Sequence, residues 1–162
     1  MNIIKKLSLF TIAVATFFVA SCADGSEAVA TSGTLQVIID VTNPESWPED
    51  GTVFCSLDKT WPPSGAPYLT STLESSMIND DGQIILQWSL INFDTYKLIS
   101  VSWRDPDNPN PACNQAVWGT HSGSAQAFYA DASPIDLSSE NSTLSFDIAA
   151  IANTATPPCP PG

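Results

Sequence analysis

Apolar and polar residues alternate along most of this chain with a period of two, the mark of strands that hide one face. The pattern is cleanest at Leu35, Val37, Ile39 and Val41, which alternate with Gln36, Ile38, Asp40 and Thr42 and predict a first strand opening the domain at Thr34. Thr52 to Leu57 predicts a second strand, with Val53, Cys55 and Leu57 on one face. A third is expected from Thr72 to Ile78. The richest stretch runs from Gln83 to Asp107. In its first half Ile84, Leu86, Trp88 and Leu90 fall on alternate positions and should point inward. In its second half, Tyr96 to Trp103, Ile99, Val101 and Trp103 share one face and Tyr96 and Leu98 the other, as suits a strand near the middle of a sheet. Asn114–Thr120, Ser124–Ala130, Ser133–Leu137 and a last strand carrying Leu144, Phe146, Ile148 and Ala150 complete the set.

Between these runs stand turn residues with specific backbone roles. Asn43 to Gly51 carries two prolines and ends in Asp-Gly, and Asp58 to Ala66 contains Thr60-Trp-Pro-Pro-Ser-Gly. Asn79-Asp-Asp-Gly82 is a hairpin signal, because Asp-Gly takes positive backbone angles readily. Asn92-Phe-Asp-Thr95 predicts a tight corner that folds the two halves of the central stretch into a hairpin. The tail from Thr156 to Gly162 holds four prolines, which lack the amide donors a sheet needs. No segment sustains a helical period. About seven strands with turn signals between them predict an all-β fold, a single antiparallel β-sandwich over residues 34–151, followed by a proline-rich tail over 152–162.

Charge narrows the function classes. Seventeen acidic residues face five basic ones, for a formal charge of −12. Such a surface repels phosphate backbones and anionic lipid, so nucleic-acid binding through a basic patch is excluded. The N-terminus explains where two of the bases go. Met1 to Lys6 is a short positive region and Leu7 to Ala20 an apolar run too short to span a bilayer comfortably, the shape of a signal peptide.

Val19-Ala-Ser-Cys22, which ends this run, resembles the lipobox of bacterial lipoproteins. The resemblance implies a cleaved segment 1–21, a diacylglycerol on Cys22, a membrane partner reached through that anchor, and a place in the bacterial cell envelope, at the outer membrane. The mature chain keeps only Lys59, Lys97 and Arg104 against its seventeen acids, a charge of −14. Residues 22–33, small and polar, read as a tether between lipid and domain. Their acidic residues Asp24 and Glu27 resemble the surface-export signals of some Bacteroidetes lipoproteins.

Gly33-Thr-Leu-Gln-Val-Ile-Ile, Gly51-Thr-Val-Phe-Cys-Ser-Leu and the stretch from Leu90 to Asp107 together resemble the transthyretin-like, or carboxypeptidase-regulatory-like, sandwich domains of bacterial lipoproteins. These share a two-sheet architecture with immunoglobulin-like domains. In them a Gly-Thr-Tyr corner introduces a strand that ends in an aspartate-rich loop; here Asp94 stands in place of the glycine. The resemblance implies a fold that serves many functions and no shared catalytic residues.

Candidate chemistry is sparse. Beyond Cys22 three cysteines remain, and an exported compartment favours a disulfide: Cys113 with Cys159, stapling the tail, or Cys55 with Cys113. Zinc is disfavoured, since there is no Cys-x-x-Cys and one histidine. Asp105, Asp107, Asn108 and Asn110 gather oxygen ligands of the kind calcium takes, in a loop without the glycine and distal glutamate of an EF-hand. They serve turns equally well. Trp47, Trp61 and Trp118 are candidates for a carbohydrate-stacking platform; folding back onto the sandwich ends is the competing role. His121, beside Thr120, Ser122 and Ser124, has no recognisable orienting partner. No nucleophile elbow or His-Glu-x-x-His is present. These features predict a non-catalytic module, without a cofactor beyond weak calcium, that binds a protein or matrix partner or, alternatively, a carbohydrate.

Overall fold

The computed structural model describes residues 29–130 and 132–159. The expected signal segment 1–21 and Cys22 lie outside them. Ten strands and one short helix follow in order: β1 Ser32–Val41, β2 Thr52–Asp58, β3 Leu69–Leu73, β4 Gln83–Asn92, β5 Asp94–Tyr96, β6 Leu98–Arg104, β7 Gln115–Thr120, β8 Gly123–Ser124, α1 Ala125–Phe128, β9 Ile135–Leu137 and β10 Thr143–Ala150. They form a β-sandwich. One sheet has the order β10-β1-β4, the other β3-β2-β6-β7-β8, and β5 with β9 makes a small third pairing.

Alternation places the core as expected in β1, where Leu35, Val37, Ile39 and Val41 are all buried. Facing them across the sandwich are Val53, Cys55 and Leu57 of β2, Ile99, Val101 and Trp103 of β6, and Trp118 of β7. β6 lies in the centre of the five-stranded sheet and is buried on both faces.

Several expectations are corrected. The central stretch is not a hairpin: β4 pairs with β1, and β6 with β2 and β7, so the corner at 92–97 carries the chain from one sheet to the other. Tyr96 stabilises that corner by donating its hydroxyl to the Asn92 carbonyl at 2.8 Å. The Asn79–Gly82 turn is likewise a passage between sheets, from β3 to β4. The third strand runs 69–73 rather than 72–78, giving way to a turn of 3-10 helix at Ser75–Met77. Ser124–Ala130 is mostly α1 rather than strand. The sandwich is not wholly antiparallel, because β10 lies parallel to β1 with Leu35 opposite Leu144 and Ile39 opposite Ile148. A period of two reports which face is buried and is silent on direction and partner.

Leu90 is the sharpest departure. β4 bulges where Gly33 opposes Ile91 but Leu35 opposes Trp88, so Ser89 and Leu90 together face one residue of β1. The extra residue shifts the alternation by one. Ile91 enters the core instead, and Leu90 is 82% exposed with a φ of 59°. A leucine in the left-handed region costs roughly 1–2 kcal/mol. Leu90→Gly should therefore stabilise the fold by about 0.5 kcal/mol after the added freedom of the unfolded chain is counted, and Leu90→Val should destabilise it by about 1 kcal/mol. Urea titrations of the pair would show midpoints moving in opposite directions; a lower midpoint for the glycine variant would rule the strain out.

Candidate functional site

Three tryptophans of the core spend their indole N–H groups on loops and neighbouring elements. Trp88 of β4 donates to Ser71 Oγ of β3 across the sandwich at 2.8 Å. Trp103 donates to the Asp50 carbonyl at 2.7 Å, closing the 43–51 loop onto β6. That reach passes so close to Gly51, itself at φ 85°, that any Cβ there would collide with the indole. Trp118 donates to the Asn153 carbonyl at 2.7 Å and so ties down the segment after β10.

Trp118 owes this role to a second bulge, where Val101 opposes Gly119 but Ser102 opposes Val117. The bulged carbonyl of Trp118 accepts the Ile151 amide at 3.2 Å. Gly119 beside it has no room for a side chain against the Ala149 carbonyl. The Asn43 side chain adds two bonds to the same segment, accepting from the Ala152 amide at 2.7 Å and donating to its carbonyl at 2.9 Å. The Cys113–Cys159 disulfide then fastens the end of the tail to the loop that precedes β7. Cys55 is free and buried, and burial pushes its thiol upward, away from the reactive thiolate. The alternative pairing of Cys55 with Cys113 is excluded.

The three candidate platform tryptophans do not share a surface. Trp118 is 1% exposed, and Trp47 packs edge-on against it at 5.1 Å. Trp61 packs edge-on against Phe128 at 5.2 Å. Aromatic burial is favourable enough to fold such rings inward. His121 is held on both sides: Nδ1 accepts the Ile99 amide at 3.1 Å, which leaves Nε2 as the donor to the Ser133 carbonyl at 2.9 Å. It buttresses the β7–β8 turn against the segment before β9.

The Asp105–Cys113 loop is a run of Asx turns. Asp105 Oδ1 accepts the Asp107 amide, Asn108 Oδ1 the Asn110 amide and Asn110 Oδ1 the Ala112 amide, at 2.9, 3.0 and 3.1 Å. Three of the four proposed calcium ligands thus turn an oxygen to their own backbone. No three carboxylate, histidine or cysteine side chains converge among the described residues.

A wide concavity lies on the outer face of the five-stranded sheet. It holds about 690 Å³ and is walled by Pro62, Pro63, Pro111, Pro157, Phe128 and Tyr129, with Gln115 and Val117 of β7 also lining it. Each wall has a local cause. Segment 59–68 is kept off the sheet by its prolines and meets α1 through the Trp61–Phe128 contact. Pro111 and Pro157 are brought together because each lies two residues before a disulfide cysteine. Tyr129 is 57% exposed at the rim. Among the described residues no carboxylate, histidine, lysine or arginine lines the cleft.

On the same outer face a row of small polar side chains is buried: Ser56 and Asp58 of β2, Ser100 and Ser102 of β6. Ser56 donates to Asp58 Oδ2 at 3.1 Å and lies 3.2 Å from Ser100 Oγ, while Ser102 Oγ has no partner among the described residues. Burial raises the Asp58 carboxyl above the ordinary carboxylate value, partly offset by the Ser56 hydrogen bond. A carboxyl that binds its proton more tightly when folded stabilises the fold below its unfolded value, and that contribution is lost as pH rises through the folded one. Asp58→Asn, which keeps the acceptor for Ser56, is expected to raise the melting temperature at pH 7 and to flatten its decline across the acidic range. Equal melting curves for both proteins at pH 4 and pH 7 would contradict the burial of this charge.

A smaller hollow of about 330 Å³ adjoins the 105–113 loop and is lined by Glu49, Asp50, Asp105 and Asp107 with Trp103 and Thr154. Sequence reading singled out two of these acids for calcium and missed their partners on the 43–51 loop. It missed the cleft altogether, although the proline clusters at 62–63, 109–111 and 157–158 were visible.

No protein-family model matches the chain, and no curated protein matches it. Among solved structures it is similar to the major pilin subunit of Bacillus cereus, with 14% identity and a TM-score of 0.37 over 74% of this chain. The chain spans 30% of that subunit's length.

Proposed function

We propose that this chain is a non-catalytic binding module, exported and lipid-anchored at Cys22 in the bacterial envelope, whose cleft holds an extended segment of a protein partner. The observation that carries the reading is the cleft itself: proline and aromatic walls, an exposed tyrosine at the rim and no carboxylate, histidine, lysine or arginine among the described residues of the lining. Such walls suit an extended backbone, since rings stack on an extended chain without demanding a helix or a strand edge. Catalysis would need a base with an orienting partner at the concavity, and the single histidine is committed to backbone contacts elsewhere. The anchor rests on the lipobox resemblance, and mass spectrometry of the mature N-terminus tests it: an unmodified Cys22 would remove it.

Panels of short peptides and of glycans, titrated against the purified chain and its Tyr129→Ala variant, test the cleft. Peptide binding weakened about 30-fold by Tyr129→Ala, the loss expected for an aromatic anchor, supports the reading. Glycan binding with the same sensitivity would transfer the site to a carbohydrate, and no binding by either panel would end the claim for the cleft.

A further inference from the structure

The three-stranded sheet ends in β4, and the backbone of that strand has groups it does not spend. Successive residues of a strand send their amides and carbonyls to opposite sides. Val41 donates its amide to the Gly82 carbonyl at 3.1 Å, so the even-numbered residues from 82 to 88 bond to β1 and the odd-numbered ones face outward. Gln83 has an outward partner: its amide donates to Asn79 Oδ1 and its carbonyl accepts the Asn79 amide, both at 2.9 Å. The outward amides and carbonyls of Ile85 and Gln87 have no partner among the described residues.

Open edges are ordinarily blunted by charge, proline or a covering segment. β10, on the other side of the sheet, is guarded in this way: Asp147 sets a charge on the strand, and the Ala149 carbonyl sits so close to Gly119 of β7 that a Cβ there would collide with it. β4 has neither device. Its ten residues, Gln83–Asn92, include no charge and no proline, on a chain that holds seventeen acids. Two of its apolar side chains stand in water, since Ile85 is 53% exposed and Leu90 82%. Leu90 does so from a left-handed backbone that costs free energy, and an outlier of this kind points to a contact made outside the chain.

We propose that β4 pairs antiparallel with β4 of a second copy about a twofold axis at Leu86, joining two three-stranded sheets into one of six strands. Ile85 of each copy lies opposite Gln87 of the other, so every unspent amide meets a carbonyl and about four hydrogen bonds form. A second copy fits this edge better than an unlike strand for three reasons. A foreign chain drawn to so acidic a protein would be basic, and β4 offers a base nothing to pair with. The antiparallel register holds the Asp80-Asp81 turns of the two copies about 33 Å apart at 3.3–3.4 Å per residue, several times the screening length of about 8 Å, so the like charges do not oppose pairing. The same register sets Leu90 beside Gly82 of the second copy, a residue with open space where a side chain would stand. Because β10 is guarded, this sheet grows no further and the contact closes as a dimer.

The test is sedimentation equilibrium of the purified chain over a wide concentration range, with hydrogen exchange followed residue by residue. A monomer–dimer equilibrium is expected, in which the Ile85 and Gln87 amides exchange more slowly as the dimer fills. Gln87→Pro removes an outward donor without touching a bond to β1, so it should abolish the dimer and leave the dilute protein melting within about 3 °C of the wild type. Leu90→Gly should weaken dimerisation about tenfold, although it stabilises the dilute monomer. Ile85→Lys, which sets a charge on the exposed edge, replaces the proline variant if that one does not fold. A chain that stays monomeric throughout overturns the proposal. So does a dimer as tight in Gln87→Pro, Ile85→Lys or Leu90→Gly as in the wild type, or one whose amides at 85 and 87 exchange as fast as in the monomer.

Discussion

Trp118→Ala should be the most damaging single substitution in the described fold, at about 4–5 kcal/mol. Truncating a buried tryptophan costs about 3–5 kcal/mol in lost burial and cavity formation. The hydrogen bond from its indole to the Asn153 carbonyl adds about 1 kcal/mol, since that acceptor is left part-buried without its donor. Trp47, which rests edge-on against Trp118, loses its support as well. Against a typical total of about 5–15 kcal/mol for a domain, a loss of this size removes from about a third to nearly all of the stability. Trp118→Phe keeps most of the ring and gives up the N–H, and should cost about 1–2 kcal/mol. Urea unfolding followed by circular dichroism would rank the wild type, the phenylalanine variant and the alanine variant in that order. An alanine variant within 1 kcal/mol of wild type would mean that Trp118 stands on the surface, where a sugar platform would need it.

Breaking the Cys113–Cys159 disulfide should cost about 3 kcal/mol. The bond closes a loop spanning 46 residues of sequence, and chain entropy alone assigns a loop of that length about 4 kcal/mol. Measured disulfides commonly deliver less than this chain-entropy figure, because the unfolded chain retains structure. A Cys113→Ser/Cys159→Ser double variant should melt on the order of 10 °C below the wild type. Reducing agent should bring the wild type to the same temperature and leave the variant unmoved. The loss has a local consequence too, since Pro157 is no longer fastened beside Pro111 and one wall of the cleft is released. Peptide affinity should then fall more than Tyr129 or Phe128 contacts explain. A reduced wild type that melts within 2 °C of the oxidised one would show that hydrogen bonds hold the tail unaided.

Both predictions turn on residues whose part in the fold was only half legible. The spacing of Leu35, Val37 and Ile39, of Val53, Cys55 and Leu57, and of Ile99, Val101 and Trp103 identified buried faces correctly, because a strand has one simple rule for which side chains turn inward. That rule fails wherever a residue is added without a partner. The bulge at Ser89–Leu90 exposed Leu90 and buried Ile91, and the bulge at Trp118 turned a candidate surface ring into the clamp of the tail. The first has no local signature in the residues around it, and the second shows only Gly119 beside it. Each is decided by the strand opposite.

The candidate site was less legible still. Asp105 and Asp107 drew notice as oxygen ligands, yet their setting depends on Glu49 and Asp50, more than fifty residues away. Phe128 and Tyr129, read as part of a strand, proved to end and follow a helix that walls the cleft. Prolines announce where a chain cannot join a sheet, and do not announce which other loop they will face.

What this sequence determined by itself was the content of the fold: an all-β chain, cysteines suited to one disulfide whose pairing it left open, a core built from alternating aliphatic positions, and an acidic surface with few bases. These follow from period, composition and local backbone preference, which act over a few residues. What the tertiary structure alone decided was arrangement: the parallel pairing of β1 with β10, the passage of 83–107 between two sheets, and the meeting of the 59–68, 105–113 and 152–159 segments around one cleft. Those depend on contacts between residues distant in sequence, whose free energy no local pattern records.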